Sequence, residues 1–221
     1  VAEAIFQYYQ LKDIDYSKKG AIIQGWGNVG AAAAWYLAKK GIEIRAIIDR
    51  EGGFIREEGF SFEEINNLFI GRTSNKLPLT ELNFETINEQ VWDVQAEIMV
   101  PAADSRLIKK EHLGRLKNAG LELISSGANV PFADHEIFYG PIAKWADENF
   151  TLLPDFIANS GMARTFAYLM QPGVELTDVA IFKDVSETMR KCLGEVIQVN
   201  STEKALLETA FEVALSKIGV E

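Results

Sequence analysis

Cysteine is nearly missing from this chain: Cys192 is the single one in 221 residues. That excludes an internal disulfide and fits a reducing compartment. The plain reading of Cys192 is a small residue in a core or on a helix surface. Histidine is almost as scarce, with only His112 and His135. Neither stands at zinc-ligand spacing from the other or from Cys192, so no metal centre is expected. Positive charge is short as well, since 22 Lys and Arg against 32 Asp and Glu leave a formal charge of −10. A general electrostatic affinity for nucleic acid or an anionic membrane is not expected. Val1 to Gln10 has neither the basic start nor the long apolar stretch of a secretory signal. No repeat or low-complexity tract is present, and the cytoplasm is the expected location. Ala21 to Ala38 runs 18 residues without a charge, yet its three glycines, Gln24 and Asn28 argue against a membrane span. The remainder is ordinary for a soluble globular protein, 48% apolar and 24% charged, long enough for one large domain or one domain with an appendage.

Against that plain background one stretch stands out, Ala21-Ile22-Ile23-Gln24-Gly25-Trp26-Gly27-Asn28-Val29-Gly30 followed by the apolar run to Ala38. It reads as a short buried strand, a glycine-rich turn, and a helix that begins inside the turn. A Gly-x-Gly-x-x-Gly match is weak alone; this context makes it a dinucleotide-binding hypothesis. Gly25 allows the tight exit from the strand, Gly27 lets the backbone approach a pyrophosphate, and Gly30 lets the helix pack on the sheet. The helix start offers unpaired N–H groups and a partial positive charge to phosphates. The next apolar segment, Ile42 to Ile48, ends in Asp49, 19 positions after Gly30. A carboxylate there accepts hydrogen bonds from the adenosine ribose hydroxyls and repels a 2′-phosphate, which favours NAD over NADP. Arg50 is the complication, because a guanidinium swung into the pocket holds that phosphate. The bland alternative is a strand–turn–helix corner whose glycines serve packing only.

Elsewhere the pattern alternates. Val1 to Leu11 reads as an amphipathic helix with Ala4, Ile5, Tyr8 and Tyr9 on one face, and it resembles a helix cut from a longer parent chain. Gly41 closes the first long helix, Gly52-Gly53 reads as a turn, and Ser61-Phe62-Glu63-Glu64 matches a capping box that opens a helix through Phe69. Gly71 to Leu79 reads as a polar surface excursion. Further strands are expected at Ile22-Ile23, Glu43 to Ile48, Glu97 to Val100, Leu121 to Ser125 and Leu152-Leu153. Helices are expected at Asn28 to Lys40, Leu107 to Leu116, Ala133 to Asn149 with a break at Gly140-Pro141, Ala158 to Met170, Thr177 to Val199 and Ser201 to Ile218. Strands alternating with helices imply an α/β fold, a doubly wound, mainly parallel, Rossmann-like sheet with extra C-terminal helices. The expected division is a dinucleotide-binding unit over residues 1–175 and a helical extension over 176–221. Ligands in such sheets lie beyond the carboxyl ends of the strands, so the loops at Gly25 to Gly30, Asp49 to Gly53, Pro101 to Ala103 and Gly127 to Pro131 matter most.

Those loops carry four motifs: Gln24-Gly25-Trp26-Gly27-Asn28-Val29-Gly30, Val100-Pro101-Ala102-Ala103, Ser126-Gly127-Ala128-Asn129, and Leu153-Pro154-Asp155-Phe156-Ile157-Ala158-Asn159-Ser160-Gly161. In this order and spacing the chain resembles the C-terminal NAD(P)-binding domain of the glutamate/leucine/phenylalanine/valine dehydrogenase family. The resemblance implies oxidative deamination of an L-amino acid to a 2-oxo acid and ammonia, with hydride passed to NAD or NADP, in an intact protein that is a homo-oligomer. It implies that Gly25, Gly27, Asn28, Val29 and Gly30 hold the pyrophosphate and that Asp49 faces the adenosine ribose. Ala102 and Ala103 then line the nicotinamide side, and Asn129 and Asn159 bond the nicotinamide ribose or carboxamide. Amides suit that task because each offers a donor and an acceptor; read without the resemblance, both asparagines are loop and helix caps.

Two departures bear on chemistry. Glutamate-using relatives continue Gly-Val after the last motif, with a serine further along the helix. Here the run is Met162-Ala163-Arg164-Thr165-Phe166, and Phe166 falls at the serine position, which puts glutamate recognition in doubt. Arg164 is read as a surface ion pair before a substrate ligand. The family's catalytic lysine and aspartate also sit in an amino-terminal substrate domain, which is expected to be absent from this chain, so no catalytic residue is nominated. A lysine base needs a closed, desolvated cleft to lower its pKa. His112 and His135, both read as helical and remote from the strand ends, are set aside. The rival expectation is a non-catalytic module that senses dinucleotides or carries a partner interface.

Overall fold

The computed structural model describes residues 1–219. Its centre is β1 (Gly20–Gln24), every residue of which is buried. Ala21 and Ile23 feed one apolar cluster and Ile22 feeds the other, as alternating side chains of a strand covered on both faces must. Helix α1 (Ala2–Leu11) comes before β1, and α2 (Asn28–Lys39) follows the glycine turn. The small residues Gly30, Ala31, Ala34 and Ala38 with Leu37 form the buried face of α2, a helical spacing that lets the helix lie close to the sheet. Gly41, at φ 89°, ends it, a left-handed turn that glycine adopts without strain.

The next segment corrects the expected turn at Gly52-Gly53. Strand β2 (Glu43–Asp49) pairs antiparallel with a long β3 (Gly52–Phe60), so the turn proper is Arg50-Glu51 and the glycines belong to the ladder. A Cβ on Gly53 would lie 2.0 Å from the Ile47 carbonyl oxygen, and one on Gly52 would lie 2.1 Å from that of Leu82. Close approach between strands, not chain reversal, is what these two positions require. Helix α3 (Phe62–Ile70) starts at the expected capping box, with the Ser61 side chain on the Glu64 N–H and the Glu64 carboxylate returning to Ser61 N–H. A short β4 (Leu82–Asn83), helix α4 (Phe84–Gln90) and a 3-10 turn at Val91–Asp93 come next.

The second half continues with β5 (Ile98–Pro101), α5 (Lys110–Asn118), β6 (Leu123–Ser125), α6 (Pro141–Asn149), β7 (Thr151–Leu153), α7 (Asp155–Ala158), α8 (Gly161–Leu169), α9 (Asp178–Val199) and α10 (Leu206–Lys217). The seven strands stand in the order β4-β3-β2-β1-β5-β6-β7. β2, β1, β5, β6 and β7 are parallel, and β3 and β4 form an antiparallel edge. This is the α/β, Rossmann-like arrangement expected. The chain leaves β1 towards β2 and later returns to the opposite side of β1 as β5. The crevice at that reversal is where open parallel sheets take ligands.

Residues 133–140 are not helical, a second correction. The Asp134 carboxylate instead accepts the N–H groups of Ile142 and Ala143 at 2.8 and 2.9 Å and thereby satisfies the start of α6. His135 accordingly lies in a loop, not in a helix. A similar carboxylate joins α6 to α10, since Asp147, buried, accepts from Leu207 and Glu208 N–H at 3.0 Å each. Met189, Leu193 and Val196 of α9 with Leu206 and Ala210 of α10 lie in the same apolar cluster as α1 and α2. No helix among the described residues is long and apolar enough to cross a membrane.

Candidate functional site

The carboxyl ends of β1, β2, β5 and β6 bring the expected loops into one crevice. Gly25 leaves β1 at φ 96°, its N–H donating to the Ile48 carbonyl at 2.7 Å. A Cβ at that position would meet the Ala102 carbonyl oxygen at 2.6 Å and the Cα of Ala103 at 2.8 Å. Gly30 is tighter still, since its Cβ would sit 2.0 Å from the Gly25 carbonyl oxygen. These two glycines are fixed by the protein's own packing. Gly27 is different. It precedes α2 with φ −73° and ψ −168° and has no capping side chain, and a Cβ there would meet nothing within 4 Å. Asn28 and Val29 are exposed beside it. The first turn of α2 thus presents free N–H groups beside an open backbone cradle, the geometry that accommodates a phosphate anion.

Asp49 closes β2 on the next loop, half-buried, and its Oδ2 accepts the Leu77 N–H at 2.9 Å. Arg50 is exposed. The excursion after α3 supplies a group that has no local signature in the sequence. Arg72 donates from Nη1 to the Gly27 carbonyl at 2.9 Å, and its guanidinium rests 5.4 Å from the centre of the Phe69 ring. Residues 71–80 therefore touch both the glycine turn and the acid at the end of β2. Lys76 in the same segment is paired with Glu51 at 2.8 Å.

On the far side of β1, the Ala102 N–H donates to Gln24 at 2.7 Å, and Gly127 and Ala128 N–H donate to Pro101 at 2.7 and 3.0 Å. These bonds tie the ends of β1, β5 and β6 together. Val29 reaches across, its Cγ1 standing 2.5 Å from where a Cβ on Gly127 would be. The Asn159 amide donates to the Gly127 carbonyl at 3.2 Å and to Oδ1 of Asn129 at 3.3 Å. Asn159 is the residue that closes α7 at its C-terminus, while neither asparagine caps a helix start and Ser160, which precedes α8, makes no side-chain capping bond. Both asparagines also line a cleft of about 560 Å³ whose other walls include Phe138, Phe156, Ala163 and Phe211. Asp155, on the same wall, has its carboxyl held above the ordinary range by burial.

None of the residues set aside from the sequence is among those lining that cleft. His112 stacks on Trp92 with ring centres 3.9 Å apart, accepts the Lys109 N–H on Nδ1, and has its pKa lowered by burial. It is a packing residue of α5. Arg164 is paired with Asp184 of α9 at 2.6 Å, the surface ion pair that was expected. Phe166 is exposed on α8, and Cys192 is half-buried on α9. Among the described residues no three His, Cys, Asp or Glu side chains gather as a metal site would require.

Comparison with known proteins gives a consistent picture. The family model described as glutamate/leucine/phenylalanine/valine dehydrogenase matches residues 1–220. The glutamate dehydrogenase of Aeropyrum pernix is 28% identical over 206 residues, covering 89% of this chain and 46% of that protein. The NADP(+)-dependent glutamate dehydrogenase of Pyrobaculum calidifontis is 28% identical over 149 residues, 65% of this chain and 33% of its own length. The NAD-specific glutamate dehydrogenase A of Halobacterium salinarum is 26% identical over 166 residues, 73% of this chain and 34% of its length. Among solved structures, Plasmodium falciparum glutamate dehydrogenase 2 superposes with a TM-score of 0.76 at 17% identity, over 98% of this chain and 49% of the other. The chain thus spans about half, or less, of the length of the relatives it matches.

Proposed function

The chain belongs to the glutamate/leucine/phenylalanine/valine dehydrogenase family, and from that premise we propose that it is the cofactor-binding part of an NAD(P)-dependent amino-acid dehydrogenase. The reaction is oxidative deamination of an L-amino acid to a 2-oxo acid and ammonia, and a bound nicotinamide supplies the hydride acceptor. The observation that carries the reading is the open cradle at Gly27, at the start of α2 and at the crevice between β1 and β5. The role of this chain's residues is to hold and orient. Gly25 shapes the turn, its own N–H held by Ile48, and Gly27, Asn28, Val29 and Gly30 hold the pyrophosphate on backbone N–H groups. Asp49 keeps Oδ1 for a ribose hydroxyl while Leu77 holds Oδ2, which favours NAD. Ala102 and Ala103 floor the nicotinamide side, and Asn129 with Asn159 supplies amide partners there.

Residues 1–175 form the dinucleotide-binding unit and 176–221 the helical extension in this reading. The groups that move protons on the substrate amine lie outside these 221 residues, the intact protein is a homo-oligomer, and its place is the cytoplasm. Support for a separate proton-transfer unit comes from the crevice itself. The cleft at Asn129 and Asn159 is lined by apolar and aromatic side chains, Ser160, the two amides and Asp155, and by no lysine. The test is a fluorescence titration of the purified chain with NADH, followed by a deamination assay over a panel of amino acids. Saturable NADH binding without turnover is the expected result. Absence of binding refutes the cofactor assignment, and robust turnover refutes the placement of the proton-transfer groups.

A further inference from the structure

The cleft beside Asn129 and Asn159 is one-sided in its charge. Helix α7 is a single turn, closed by the Asn159 N–H on the Asp155 carbonyl at 2.7 Å. Residues four apart on such a turn stand one above the other, and Asp155 and Asn159 both line the cleft. Asn159 is anchored there by Gly127 and Asn129. Much of the remaining wall is aromatic. The Phe211 ring of α10 lies 5.2 Å from that of Phe156 and 6.4 Å from that of Phe138, centre to centre. No lysine, arginine or histidine lines the cleft. The Asp155 carboxylate accepts the adjacent Phe156 N–H at 2.8 Å, while burial opposes its ionisation and no positive neighbour offsets that burial. A carboxylate withdrawn from water without a counter-charge gains by acquiring one, and aromatic ring faces attract charge of the same positive sign.

We infer that Asp155 and the rings around it discriminate between the two redox forms of the bound cofactor, holding the oxidised nicotinamide, a pyridinium cation, more tightly than the neutral reduced ring. The inference rests on the dinucleotide reading above and adds to it a residue and a preference. The two forms share the adenosine, both riboses and the pyrophosphate, so the glycine turn and Asp49 treat them alike. They differ only at the ring that Asn129 and Asn159 are assigned to hold. A neutral amide serves either form, because it offers a donor and an acceptor whatever the charge of the ring. A carboxylate one helical turn away separates them by charge. Within a cleft of rings and apolar side chains that charge is poorly screened, which enlarges the difference. Holding the cation favours departure of hydride from the reduced ring, so the bound couple is poised towards hydride donation, the reverse of deamination.

Calorimetric dissociation constants of the purified chain for NAD⁺ and NADH provide the test, with Asp155→Asn and Phe211→Leu alongside the wild type. Asparagine keeps the size of the side chain and an acceptor for the Phe156 N–H while removing the charge. Leucine keeps an apolar wall and removes one ring. The wild type should bind NAD⁺ about 5- to 30-fold more tightly than NADH, the scale of a desolvated cation contact. Asp155→Asn should weaken NAD⁺ by at least about fivefold and change NADH by less than about twofold, and Phe211→Leu should weaken NAD⁺ selectively by about two- to fivefold. In saturation-transfer NMR the bare cation 1-methylnicotinamide should contact the wild type more strongly than neutral nicotinamide does, and lose that advantage in Asp155→Asn. Equal or tighter binding of NADH by the wild type overturns the inference, and so does an Asp155→Asn that weakens both forms equally or neither. Should that variant fail to fold, the wild-type ratio and the pair of ring fragments decide alone. Wild type that binds neither dinucleotide removes the dinucleotide reading and the inference with it, a result distinct from the others.

Discussion

Gly27 and Gly30 stand three residues apart in one motif, and the structure assigns them opposite consequences. At Gly30 an added methyl lies 2.0 Å from the Gly25 carbonyl oxygen, and real Cβ contacts essentially never fall below 3.0 Å. Gly30→Ala must therefore push the start of α2 off the exit of β1 by roughly 1 Å. Overpacking of this kind costs about 1–3 kcal/mol, and a domain of this size loses about 2–4 °C of Tm per kcal/mol. The expected fall is about 2–12 °C. At Gly27 the added group meets no protein atom within 4 Å, and φ −73° suits any residue. The one cost is a poorer N-cap, at most about 1 kcal/mol for valine, or a few degrees. Binding should reverse the order. The branches of Gly27→Val occupy the approach to the helix N–H groups, and NADH affinity should fall by more than about 100-fold, with Gly27→Ala between. Thermal melts and NADH titrations on the three variants decide it. A Gly27→Val protein that melts far below wild type makes this glycine structural, and one that binds NADH normally places the pyrophosphate elsewhere.

Two further outcomes follow from buried and surface charge. Burial holds the Asp147 carboxyl above its usual range, against the Leu207 and Glu208 N–H groups and the Tyr139 hydroxyl, which stabilise the anion. A raised folded pKa means that its stabilising contribution is present below the unfolded value, about 3.9, and lost as pH rises through the folded one. The unfolding free energy of wild type minus that of Asp147→Asn, from urea titrations, should increase as pH falls from about 7 to about 4; a flat or decreasing difference contradicts the assignment. The Arg164–Asp184 pair is partly exposed, at 29% and 21% of the two side chains, so Arg164→Ala should cost about 1 kcal/mol or less and leave NADH affinity unchanged. A large loss of NADH binding would place that arginine at the ligand.

What could be read in the sequence was the part written in local signals. The Gly25–Gly30 turn, the acid at the end of β2, the capping box at Ser61 and the stop at Gly41 each depend on residues within a few positions of one another. All four appear where expected. Strand β3 was hidden because Gly52-Gly53 looks like a reversal, while Arg56, Glu57 and Glu58 mask the apolar alternation of the strand. Residues 133–140 carry helix-compatible types, but Asp134 gains more by capping α6 from outside. Pro141 at the first helical position was the available signal for that start. Arg72 has no local signature, since its contact with Gly27 is made 45 residues away in sequence and exists only because α3 lies along α2. The Asn129–Asn159 bond spans 30 residues in the same way; the motifs pointed to both amides, but only the sheet order brings them together.

The methyl of Ala102 has a consequence for anyone who would redesign this domain. It stands 3.3 Å from the Cβ positions of both Gly30 and Gly127, while its own carbonyl blocks that of Gly25. Three loops from three strands are thus registered on one small side chain. Substitutions at 25, 30, 102 and 127 should be strongly non-additive, because residues sharing a contact couple by about 0.5–3 kcal/mol, and a compensating change at one of them must be sought together with the others. Redesign of this domain is therefore best confined to positions outside that group, with the alanine and its glycines left untouched.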